Sequence, residues 1–141
     1  MSSLLSKVAP ALFAALMMAS CHESLEERAA RESAEYTRKN CPAPVSEYII
    51  NDSIVYEKAT RTIHYYYTIT GLADTSAVNW NTVKAELIRG VKGSTELRAY
   101  KAEGFNFAYT YFSSKHKGRK LIDVRLTPKD YRRENKDSSK N

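Results

Sequence analysis

Residues Thr62 to Thr70 alternate with a period of two: Ile63, Tyr65, Tyr67 and Ile69 fall on one side of an extended chain, and His64, Tyr66, Thr68 and Thr70 on the other. A helix would scatter those four large side chains around its axis, so this segment is a strand with one face turned to a core. Phe105, Phe107, Tyr109 and Tyr111 repeat the pattern, and Ile122, Val124 and Leu126 repeat it again. Tyr48 to Glu57 reads as the partner of the first strand across a turn at Lys58 to Arg61. Its pairs Ile49-Ile50 and Ile54-Val55 place apolar groups on both faces, which predicts a bulge or cover on both sides. Glu96 to Lys101 reads as a further strand. Gly104 and Gly118 lie in the turns that follow it and the Phe105 to Ser113 strand.

Two segments follow the helical period instead. Ser24-Leu25-Glu26-Glu27 fits a capping box, in which hydroxyl and carboxylate satisfy free amides at a helix start, and the helix runs to about Lys39. Its apolar positions are small and sparse, so its packing face is shallow. Cys41-Pro42-Ala43-Pro44 stops it, because proline lacks the amide and disfavours a helical predecessor. Val83, Leu87, Ile88 and Val91 predict a second helix over about Asn81 to Lys92, after a loop from Gly71 to Val78. Short connections put sequence neighbours side by side. The predicted fold is α+β with two layers: a five-stranded antiparallel sheet with helices on one face, in the order α-ββ-α-βββ. In outline this resembles the small cystatin-like domains, over about residues 45–127, and the likeness transfers no functional residue.

The N-terminus carries an address. Lys7 precedes twelve residues, Val8 to Ala19, that are apolar throughout and interrupted only by Pro10. A bilayer core needs roughly 20 residues of helix, so the run suits a signal-peptide core, not an anchor. It ends at Leu16-Met17-Met18-Ala19-Ser20-Cys21, which resembles the bacterial lipoprotein signal, although Met18 stands where that pattern usually has Leu. The resemblance implies a signal peptide over residues 1–20 and an acylated Cys21, palmitate included, that tethers the rest to a membrane. His22 is not the Asp that resembles inner-membrane retention, which favours the outer membrane. Glu23, Glu26 and Glu27 loosely resemble the acidic export stretch of Bacteroidetes-type bacteria, and also suit a capped helix start. In the competing reading Cys21 bridges Cys41, as exported proteins permit, and closes a soluble periplasmic or secreted inhibitor or immunity-type protein.

The expected organisation is a signal over 1–20, a helix and proline-containing linker over 21–44, the α+β domain over 45–127, and a basic, disordered tail over 128–141. Residues 115–141 hold 10 basic and 4 acidic side chains, which locates the chain's net positive charge. Lys129, Arg132, Arg133 and Lys136 of the tail fit a solvated end and would favour an anionic surface held nearby. Export makes nucleic acid an unsuitable partner.

The chemistry-bearing residues make no familiar constellation. His22, His64 and His116 show no metal-ligand spacing, no phosphate loop or nucleophile elbow is present, and no cofactor is implied. A hydrolase using His64 or Asp123 is the least favoured class. Ten tyrosines among 141 residues are the compositional oddity. Those of the inward set cover the core. The outward set, His64, Tyr66 and Thr68 with Asn106, Thr110 and Phe112, is a candidate face for a peptide, a glycan or an envelope protein. The reading is therefore a non-catalytic binding protein of the envelope, acting in assembly, adhesion or inhibition.

Overall fold

The capping box forms as spaced: Ser24 Oγ accepts from the Glu27 amide at 3.1 Å and Glu27 Oε2 accepts from the Ser24 amide at 2.9 Å. They start helix α1, Leu25–Asn40. The computed structural model describes residues 22–75 and 77–132, so Cys21 and the 1–20 signal lie outside the described residues. Strands β1 (Ala43–Ser46), β2 (Ile49–Glu57) and β3 (Thr62–Ile69) follow. Helices α2 (Trp80–Gly93) and α3 (Arg98–Ala102), strands β4 (Asn106–Ser113) and β5 (Lys120–Leu126), and helix α4 (Pro128–Tyr131) complete the order. The five strands lie in one sheet in chain order, β1-β2-β3-β4-β5.

The expected antiparallel sheet is corrected at its centre. β3 and β4 are parallel, with Thr62 opposite Asn106 and Ile69 opposite Ser113, while the other three pairs are antiparallel. A parallel pair needs a long crossover, and residues 70–105 supply it with α2 and α3. Glu96 to Lys101 is therefore no strand. Leu97 and Tyr100, three apart, turn inward from the start of α3, and Tyr100 is buried. The fifth strand is instead β1, inside the expected linker: Ala43 pairs with Asn51 and Pro44 with Ile50. Prolines are tolerated there because an edge strand leaves one row of amides unpaired. The expected bulge in β2 occurs between Asn51 and Ser53.

The inward-facing set reads as expected. Ile63, Tyr65, Tyr67, Phe107, Tyr109, Tyr111, Val124 and Leu126 share a core with Ala29 of α1, Leu87, Ile88 and Val91 of α2, Tyr100 of α3 and Tyr131 of α4. Phe105, Phe107 and Leu126 are fully enclosed, and each such side chain contributes about 1.5–3 kcal/mol of burial. All four helices thus cover one face of the sheet. Residues 128–131 were expected in the disordered tail. Instead Thr127 and Asp130 form a second capping box, and the Tyr131 hydroxyl donates to the Phe105 carbonyl at 2.8 Å.

Candidate functional site

α1 carries Ala29 and Ser33 toward the sheet, both buried; such small side chains leave space above the strands. A groove of about 370 Å³ opens there. Its floor is Ile54, Ile63, Tyr65 and Tyr67; Glu32 and Tyr36 form one wall, Glu96, Leu97 and Tyr100 the other, and Val45 of β1 closes an end. The tyrosines stand in stacked rows across the parallel pair. Tyr65 lies 5.0 Å from Tyr109 and Tyr67 4.7 Å from Tyr111, centroid to centroid. The parallel register places Tyr65 opposite Tyr109 and Tyr67 opposite Tyr111.

Burial, with the Glu96 charge next and Tyr36 after it, pushes the Tyr65 hydroxyl up to about 12; burial also raises Tyr67. Both stay protonated and able to donate. On the wall, Glu32 accepts from the Tyr100 hydroxyl at 2.8 Å and from Arg28 Nε at 2.7 Å. Burial alone would raise the Glu32 carboxyl, and those two bonds outweigh it and hold it below the usual range. Glu96 is exposed. The site is thus apolar at its floor, hydroxylated at its edges and negative on its rim.

The outward set is also brought together, but it is largely tied up internally. His64 and Thr110 are not wet: they are 8 % and 1 % exposed. His64 Nδ1 meets Glu57 Oε1 and its Nε2 lies 2.7 Å from Thr110 Oγ1, while the Thr110 hydroxyl donates to Asp123 at 2.9 Å. Burial would raise Glu57; bonds and charge from His64, then Arg125, outweigh it and lower its carboxyl. Thr68 donates to Asp52 at 2.7 Å and the Asn106 amide to the Thr60 carbonyl at 3.0 Å. Tyr66 and Phe112 are half-buried, with rings 6.4 Å apart. His64 and Asp123 do converge on one hydroxyl, but Thr110 is enclosed and neither groove beside α1 includes it. The Thr110 hydroxyl on which they converge is not open to solvent.

In the basic end, Lys129 is exposed on α4. Arg132 donates to the Lys101 and Ala102 carbonyls at 3.0 and 3.1 Å, so it closes the end of α3. Arg133 and Lys136 lie outside the described residues. The Cys41 thiol is free and donates to Asn51 at 2.9 Å, and burial pushes its pKa up. Among the described residues no group of His, Cys, Asp and Glu could hold a metal, and no helix is long and apolar enough to cross a membrane. The sequence reading missed the groove walls, because Glu96-Leu97-Arg98-Ala99 alternates polar and apolar residues and reads as a strand.

The fold has solved relatives. The pilotin EpsS of the type 2 secretion system of Vibrio vulnificus aligns with a TM-score of 0.62 and 14 % identity, over 78 % of this chain and 94 % of that one. A protein of Pseudomonas aeruginosa described as secreted aligns at 0.61 and 15 % identity, over 78 % and 99 %. The type II secretion system pilotin AspS of Vibrio cholerae aligns at 0.57 and 13 % identity, over 80 % and 97 %. Identity this low makes the likeness one of fold. No curated protein matches the chain. The family described as a domain of unknown function, DUF8479, matches residues 24–122, and this chain belongs to that family.

Proposed function

We propose that the protein is a lipid-anchored component of the bacterial envelope, tethered through Cys21, that works without catalysis by holding a short amphipathic segment of an envelope protein in the groove beside α1. The groove carries the reading. Its tyrosine floor accepts apolar side chains while the hydroxyls bond to backbone, as aromatic anchors do at interfaces. Its rim, with Glu96 exposed and Glu32 bonded in the wall, complements a segment bearing a basic residue. The fold likeness to two secretion pilotins supports a role in assembly, and the lipobox-like ending at Cys21 supports the tether.

The test is photo-crosslinking in the native host from a reactive residue placed at Val45, which is 55 % exposed. The expected adduct is a single envelope protein, lost on Glu96→Lys with the circular dichroism spectrum unchanged. An adduct that survives Glu96→Lys together with Tyr36→Asp removes the groove from the reading. The intact mass of the mature chain tests the tether separately: Cys21 without added lipid excludes it.

A further inference from the structure

The molecule has two unlike poles. At one, α1 begins: Glu26 pairs with Arg61 at 2.9 Å, Arg61 donates to the Glu103 carbonyl, and Arg132 reaches the end of α3. Both ends of the described chain therefore leave from the same pole, where acids (Glu23, Glu26, Glu27, Glu103) and bases (Arg31, Arg61, Lys129, Arg132) are mixed and partly paired. The ordered structure also begins close to Cys21, because Glu23 is held by Arg31 at 2.7 Å. At the other pole lies the β4–β5 turn, about 25 Å away by the length of an eight-residue strand.

That turn, Lys115 to Lys120, has four cations in six residues and no acid, and every residue in it is exposed. It is held firmly. The Asp74 carboxylate accepts from Ser113 Oγ at 3.0 Å, Ser114 Oγ at 2.9 Å and the Lys115 amide at 2.8 Å, and Gly118 turns the chain at a φ of 81°. Lys120 pairs with Asp123 at 3.4 Å and Lys115 bonds the Asp74 carbonyl. Neither Lys117 nor Arg119 has a side-chain partner among the described residues. The turn backbone is held in place and directs Lys117 and Arg119 outward, so a polyanion would meet two cations without first breaking an ion pair.

We infer that this turn is a contact site for a carboxylate-bearing cell-wall polymer. The inference rests on the envelope reading: a chain tethered at its first residues presents the opposite pole, and only that pole, to what lies beyond the membrane surface. Lipid head groups are the poorer fit, since the tether places them at the pole where the chain ends leave.

The test is co-sedimentation of the full chain, in mild detergent, with purified peptidoglycan sacculi. Binding is expected at low salt, to be lost at high salt, and to weaken about fivefold for each charge removed in Lys117→Gln and Arg119→Gln. Lys129→Gln at the other pole should leave it unchanged. Protein that stays in the supernatant, a double variant that pellets like the parent, or retention only on phosphatidylglycerol vesicles would each overturn the assignment. Glu96→Lys, which empties the groove, is expected to pellet normally, so the two proposals fail separately.

Discussion

Asp74 shows how much one side chain can organise. Burial by itself would raise its carboxyl; the Lys115 amide and the Ser113 and Ser114 hydroxyls more than offset this and hold it down at about 2. A depressed carboxyl contributes stability above its unfolded value, near 3.8, and loses that contribution as pH falls toward 2. We expect the melting temperature to drop through this window, and Asp74→Asn to be less stable at neutral pH with a flatter acid limb, both by circular dichroism. An unchanged acid limb would mean the carboxylate bonds carry no stability. Gly71 is the second sensitive position. Its φ is 56° and an added Cβ would lie 3.0 Å from the Tyr48 ring, so Gly71→Ala should cost about 1–2 kcal/mol in denaturant unfolding. Neither residue stood out in the sequence, where Gly71 to Val78 is simply a loop, because each acts on a partner brought from elsewhere.

α1 does more than cover the core. β1 begins opposite Asn51 and pairs only back to Ile49, leaving the rest of β2 as an open edge of the kind that invites pairing with another chain. Thr37 closes it: its hydroxyl accepts from the Ile54 amide at 2.8 Å and donates to the Ile54 carbonyl at 2.9 Å. Thr37→Val keeps the shape and removes both bonds. It should cost about 1–3 kcal/mol, with the Ile54 amide exchanging faster in hydrogen-exchange measurements; unaltered protection would show that the helix guards the edge by packing alone. The crossover is a second element whose sequence misleads. Glu96 to Ala99 has the alternation of a strand, yet Leu97 and Tyr100, three apart, find their burial on a single helical turn.

The core joins both sides of that crossover through Phe107, which is fully enclosed, lies opposite Ile63 in the parallel pair and meets the Tyr131 ring edge-on at 5.7 Å. Phe107→Ala should therefore destabilise the entire domain by about 3–5 kcal/mol in one cooperative transition. A separate early transition of α4 would instead mark it as an appended piece. What the amino-acid sequence determined on its own was local: the period-two runs from Thr62, Phe105 and Arg119, the capping box at Ser24, the helical period of Val83 to Val91 and the hairpin at Lys58 to Arg61, since periodicity and caps act within a few residues. Tertiary structure alone decided which strands became neighbours. Parallel pairing of β3 and β4 stacks the tyrosines, draws α1 and α3 to the two sides of a groove and turns His64 from a surface residue into a buried one, while pairing with β2 makes an edge strand of residues 43–46. Each of these depends on partners tens of residues distant, and a period read along the chain holds no information about which distant segment will supply them.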